Sequence, residues 1–186
     1  MPRPELLELL TERLRLRRYR ENDLENVYRL VSDPQVMRHF PAANDPRERA
    51  KRMIDYSLNS YANFGYSVLA AERRSDGAYI GQVGLLHWDD VDGREDVEVA
   101  YMLLPGAWGH GYATEAARAS RDWAFERVAG DRVVSFIAVT NEPSMRVAER
   151  NAMTRIKRLD ENRLGIPIYV YAISRAEWEG DRPTNS

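Results

Sequence analysis

Along the chain, apolar and polar positions alternate first in "RLRLRRY" (13–19), where Leu14 and Leu16 are separated by arginines. A period of two marks a strand with one buried and one wet face. The period changes at "NDLENVYRLVSD" (22–33): Leu24, Val27, Leu30 and Val31 share one helical face, and Asn22 with Glu25 three residues on reads as a capping box. Pro34 marks the stop, and residues 46–63 follow as a second, weaker helix. Three strands succeed one another in "GYSVLAAER", "AYIGQVGLLHW" and "VEVAYMLL". The short polar links "RSDG" and "DDVDGRED" between them predict hairpins and antiparallel pairing. Next comes "PGAWGHGYATEAARASRDWAFERV" (105–128), a glycine-bearing turn and then a helix whose inner face, Ala113, Ala116, Ala117, Ser120, Trp123 and Ala124, is mostly small. "RVVSFIAV" is a strand, "PSMRVAERNA" a helix, 154–159 a weak strand and "PIYVYAIS" a final strand. The order βααβββαβαβ, with the extra strand, predicts an α/β fold. Its mixed, mostly antiparallel twisted sheet has about six to seven strands flanked by about four helices.

Composition narrows the function without naming it. A length of 186 residues suits one domain, read here as 1–178, with "EGDRPTNS" (179–186) expected to fray as a C-terminal tail. Lys and Arg number 27 against 29 Asp and Glu, so the net charge of −2 gives no whole-chain reason to expect a nucleic-acid partner. Zero cysteines remove disulfides, thiolate metal sites and cysteine nucleophiles together, and three histidines leave little for any metal. No apolar run approaches the roughly 20 residues of a membrane helix, and the N-terminus has no signal-peptide stretch, which predicts a cytoplasmic domain with no membrane partner. The chain is expected to be a monomer or homodimer.

The glycine turn is the strongest chemical signal. Gly109 and Gly111 lie between a strand and a helix, where backbone N–H groups and the positive helix end can cradle an anion. A nucleotide P-loop is excluded because no glycine is followed by Lys and a hydroxyl residue. A dinucleotide fingerprint needs a third glycine where Thr114 stands, within parallel βαβ units that the hairpins upstream do not supply.

The strand, turn and helix resemble the pyrophosphate motif of the GNAT superfamily of acetyl-CoA-dependent N-acyltransferases. Its pattern of Gln or Arg, two residues, Gly, one residue, then Gly or Ala falls on Trp108, Gly111 and Ala113. "WGHGYATEA" is similar to the ribosomal-protein N-terminal (Rim-type) acetyltransferase branch, as are "RLRLRRYRENDLENVYRLVSDPQVM", "IGQVGLLHW" and "NEPSMRVAERNAM". The resemblance spans roughly residues 11 to 178. It departs from the branch at Ala152 and Met153, where Gly and Phe are usual, and at Pro167, where many members carry an acid. It implies a GNAT-like domain with acetyl-CoA as cosubstrate, no metal, and Gly109, His110, Gly111, Tyr112, Ala113 and Thr114 around the pyrophosphate.

The chemistry sets further demands. A free amine has a pKa of about 10 on lysine and about 8 on an α-amine, so a base must take its proton. Glu98 faces opposite to Val97, Val99 and Tyr101 in an otherwise apolar strand, which is costly without pairing or a polar cleft. The family places a glutamate here as general base; the alternative is a hydrogen-bonded structural carboxylate. A backbone N–H near Met102 can polarise the carbonyl if the strand splays, and the pantetheine amides are expected at Met102 and Leu104. The resemblance implies Ser144 as proton donor to the leaving thiolate and Asn141 as a pantetheine contact. Read from residue type alone, Asn141 is a turn residue and Ser144 a helix cap. His110 is expected to matter through its backbone only, and His39 and His87 as packed or solvated side chains. The acceptor is an amine, either a protein or peptide N-terminal α-amine or a small molecule such as a polyamine or antibiotic. A noncatalytic acyl-CoA-binding module is the alternative class.

Overall fold

The computed structural model describes residues 5, 8–41, 44–91 and 93–181. Eight strands, β1 (Glu8–Leu10), β2 (Leu14–Arg17), β3 (Val68–Arg73), β4 (Tyr79–Trp88), β5 (Asp96–Leu103), β6 (Arg132–Ala138), β7 (Thr154–Leu159) and β8 (Ile168–Ser174), form one sheet. Their order is β1-β2-β3-β4-β5-β6-β8-β7, and every neighbouring pair is antiparallel except β5 and β6. The helices are α1 (Leu24–Ser32), α2 (Pro34–Met37), α3 (Pro46–Phe64), α4 (Tyr112–Arg127), α5 (Glu142–Arg150) and α6 (Arg175–Asp181). This is the expected α/β class. The additions are β1, α2 and α6, each too short to carry a periodic signal.

The period-two alternation divides the sheet into two buried faces. Leu14, Leu16, Leu69, Val83, Leu85 and Val99 pack under the small face of α4 at Ala116, Ala117 and Ala124. Val68, Ala70 and Tyr79 point the other way, onto Val27, Leu30 and Val31 of α1 and Ala50 and Ile54 of α3. Small α4 residues let that helix lie close to the strands, which brings its N-terminus to the sheet's middle.

Local punctuation differs from expectation in three places. The Asn22–Glu25 capping box does not form. The chain enters α1 through a 3-10 turn, Glu21–Asp23, whose Asp23 carboxylate accepts from the Arg20 N–H and from the Arg17 guanidinium, both at 2.8 Å. Pro34 ends α1 but also opens α2, as the first residue after an Asp33 cap, where its missing N–H costs nothing. At the C-terminus, α6 runs past residue 178 to Asp181 and buries Trp178, while residues 182–186 of the expected tail lie outside the described residues.

Candidate active site

The site grows out of a break in the sheet. Parallel strands β5 and β6 share a single register pair, Glu98 with Val134, and then diverge. Side chains take over at the fork: the Ser135 hydroxyl donates to the Val99 carbonyl at 2.7 Å, and the Phe136 N–H donates to Glu98 Oε1 at 3.0 Å. Trp88 Nε1–H donates to Glu98 Oε2 at 2.7 Å. Glu98 is 7% exposed and makes no ion pair among the described residues. Burial pushes its pKa from 4.5 up to about 7, and the two hydrogen bonds, which favour the ionised form, only partly oppose this. A group that titrates near neutrality beside a cavity is suited to taking a proton.

Which backbone groups face the fork is set by the β4–β5 register. The Leu104 N–H donates to the Ile80 carbonyl at 2.9 Å, and the Leu104 carbonyl accepts from the Ala107 N–H at 2.9 Å. Gln82 lies opposite Met102 two residues back in the same register, and antiparallel pairs alternate between bonded and non-bonded. Met102 therefore also turns its peptide groups to β4, where its carbonyl lies against Gly81 so closely that a Cβ there would stand 2.2 Å away. The expected backbone roles of Met102 and Leu104 are corrected accordingly. Tyr101 and Leu103, one residue out of phase, direct their N–H groups into the gap. Met102 nonetheless lines the first and third cavities described below.

Beyond the fork the glycine turn opens as a cradle. Gly109 and Gly111 have φ of 78° and 79° on either side of His110, a left-handed geometry that glycine adopts without steric cost. Gly111 caps α4 without a side chain, so the first-turn N–H groups of Tyr112, Ala113 and Thr114 stay free for an outside acceptor. Successive N–H groups in such a turn make an anion-binding concavity. Arg13 braces the turn from β2's leading end: its guanidinium donates to the His110 carbonyl at 2.8 Å and to Glu115 at 2.6 Å, and sits 4.8 Å above the Tyr112 ring. At His110 it is the backbone carbonyl that meets this brace. The brace was not legible, because Arg13 and His110 are far apart in sequence.

A cavity of about 350 Å3 joins this cradle to the fork, lined by Gly109, Gly111, Tyr112, Ala113, Thr114, Asn141 and Ser144, with Arg38, Arg146 and Arg150 along its course. Free N–H donors and cations around one concavity fit a phosphate-bearing ligand. A second cavity of about 220 Å3 holds Glu98, Trp88 and Phe136, and shares Tyr101, Asn141 and Ser144 with the first. Asn141 is the cap of α5, its Oδ1 accepting from the Ser144 N–H at 3.3 Å. So Asn141, not Ser144, is the cap. Ser144 is tied to Tyr101, whose hydroxyl donates to the Ser144 carbonyl at 3.0 Å and interacts with the Ser144 side chain. A third cavity of about 490 Å3 adjoins on the α3 side, between Arg49, Arg52, Tyr56, Trp88 and Tyr101.

His39 and His87 have ordinary partners. His39 accepts from Arg38 at 2.8 Å and lies 3.0 Å from the Thr140 hydroxyl; His87 stacks on Phe64 with centroids 4.0 Å apart. At the end of α5, Ala152 has φ 59°, the sole positive value outside glycine among the described residues. The departure from the family's glycine is thus a strained helix end, and Met153 beside it is buried in the main core.

Comparisons with known proteins converge. The model of the acetyltransferase (GNAT) domain matches residues 13–154. The uncharacterized protein YkkB of Bacillus subtilis (strain 168) is 30% identical over 165 residues, covering 88% of this chain and 94% of YkkB. The crystal structure of an acetyltransferase from Agrobacterium tumefaciens str. C58 superposes with a TM-score of 0.76 at 29% identity, over 91% of this chain and 95% of that one. A spermidine N-acetyltransferase from Vibrio cholerae, solved with CoA and spermine, shares the fold with a TM-score of 0.69 at 16% identity, over 89% and 98% of the two chains.

Proposed function

Because the chain belongs to the GNAT family of acetyltransferases, we propose that it moves the acetyl group of acetyl-CoA onto a primary amine by direct attack within a ternary complex. The observation that carries this reading is the fork between β5 and β6. It joins an anion cradle on one side to a buried carboxylate on the other. The Vibrio enzyme of the same fold was solved with CoA, which supports acetyl-CoA here.

Acetyl-CoA supplies an activated thioester carbonyl. The N–H groups of Gly109 to Thr114 hold its pyrophosphate, and the Leu103 N–H holds the pantetheine arm. The Tyr101 N–H donates to the carbonyl oxygen as negative charge develops there. Glu98, held by Trp88 and the Phe136 N–H, accepts the proton the amine must lose, directly or through one water. Ser144, which lines both cavities beside Tyr101, donates a hydrogen bond from its hydroxyl to the departing sulfur. Direct attack agrees with a chain that has no cysteine to carry the acetyl group.

The test pairs binding with turnover. Acetyl-CoA should raise the melting temperature while NADH does not, and free CoA thiol should be released against at least some members of a broad amine and peptide panel. Binding of acetyl-CoA without thiol release from any acceptor would replace this reading with that of a noncatalytic acyl-CoA-binding module.

A further inference from the structure

The third cavity carries information about the acceptor. It is bounded by apolar and aromatic side chains, among them Met53, Tyr56, Leu86 and Trp88, and reaches the fork through Tyr101. Its volume of about 490 Å3 falls in the range of roughly 300–1,000 Å3 usual for small-molecule sites.

Two cations stand in its wall without a carboxylate. Arg49 donates to the Pro41 carbonyl at 2.6 Å and touches the Met37 sulfur at 3.8 Å, so it is anchored but not neutralised. Arg52, one helical turn on, is exposed and makes no hydrogen bond or ion pair among the described residues. The two repel one another, and burial together with Arg52 lowers the pKa of Arg49. Arg163 lies 5.9 Å above the ring of Trp88, a residue of the cavity wall, and donates to the Asp90 carbonyl at 3.2 Å. Among the described residues no carboxylate lines this cavity: Asp89 bonds His87 at 3.0 Å, Glu98 holds Trp88 and the Phe136 N–H, and Glu48 and Asp55, one turn either side of Arg52 on α3, make no ion pair with it within 4 Å. A cavity whose lining carries two arginines and no carboxylate favours an anion over a further cation.

We infer that the acceptor is an amphipathic primary amine bearing a carboxylate or other anionic group, which seats against Arg49 and Arg52 while its amine reaches Glu98. The inference rests on the acetyltransferase reading above and adds the charge class of the substrate. Polycationic amines such as polyamines and aminoglycosides are then poor acceptors, because they bring a second positive charge to an already positive wall.

The experiment compares matched acceptors that differ in charge: tryptophan with tryptamine, short peptides with Glu, Ala or Lys at the second position, and spermidine. CoA release is read as kcat/KM for wild type, Arg52→Glu and Arg52→Lys. The anionic member of each pair should be preferred by roughly tenfold, with spermidine last, and the preference should shrink with added salt. Arg52→Glu should raise KM for the anionic acceptors, leave kcat and the KM for acetyl-CoA unchanged, and reverse the order within each pair; Arg52→Lys should restore it. Equal or better turnover of neutral and cationic acceptors, or an order unmoved by Arg52→Glu, overturns the inference while leaving the acetyltransferase reading intact. No release from any acceptor overturns that reading and this one with it. Tryptophan against the peptides separates a free amino-acid substrate from a chain terminus.

Discussion

Replacing Glu98 with Gln removes one charge from a site where the charge opposes folding and, on the proposed reading, serves the reaction. The folded pKa of about 7 stands above the ordinary 4.5. Between those values the unfolded chain has released this proton and the folded chain has not, so stability falls as pH rises through the interval and is fully lowered above about 7. At about 1.4 kcal/mol per pH unit, the loss is about 3 kcal/mol. The Gln variant lacks this slope. Its carboxamide offers one oxygen to two donors, Trp88 Nε1–H and the Phe136 N–H, which costs about 1–3 kcal/mol at every pH. The variant should therefore be the less stable protein at pH 5 and gain on wild type by about 3 kcal/mol on going to pH 8, roughly 6–12 °C in relative melting temperature. Chemical denaturation at both pH values measures this. Under the same conditions kcat/KM of wild type should rise through pH 7, and the variant should lose that inflection and about 100-fold or more in turnover. Stability curves that run parallel would show that Glu98 is not titrating in the fold, and unchanged kinetics would remove it from the chemistry.

Three further outcomes are expected. Trp88→Phe keeps the ring that packs edge-on against Phe136 but removes a donor that lowers the Glu98 pKa, so the kcat/KM inflection should move upward; an unmoved profile would detach Trp88 from the base. Arg13→Ala should weaken acetyl-CoA binding by about fivefold to tenfold, or ~1–1.4 kcal/mol, measured by calorimetry, with kcat little changed; unaltered affinity would mean the turn keeps its shape without the brace. Ala152→Gly should stabilise the fold by about 0.5–1 kcal/mol, because a Cβ at φ 59° is strained, and a lower melting temperature would show that the methyl's packing outweighs the strain.

Sequence alone determined whatever is local. Leu14 and Leu16 marked a strand because the strand period is two, and the small face of 112–127 marked a helix that approaches a sheet. Gly109 and Gly111 identified the cradle because left-handed backbone is costly for other residues, and Glu98 stood out as an acid in an apolar run. Tertiary structure decided what depends on partners far along the chain. The divergence of β5 from β6 arises between segments more than thirty residues apart, and no local pattern encodes where a parallel ladder ends. The β4–β5 register chose Tyr101 and Leu103 over Met102 and Leu104, since backbone groups alternate sides with each residue and an error of one exchanges the whole set. Arg13 under the turn and the arginines of the third cavity are likewise products of packing: charged residues look alike in sequence, and only the fold determines which ones are brought together.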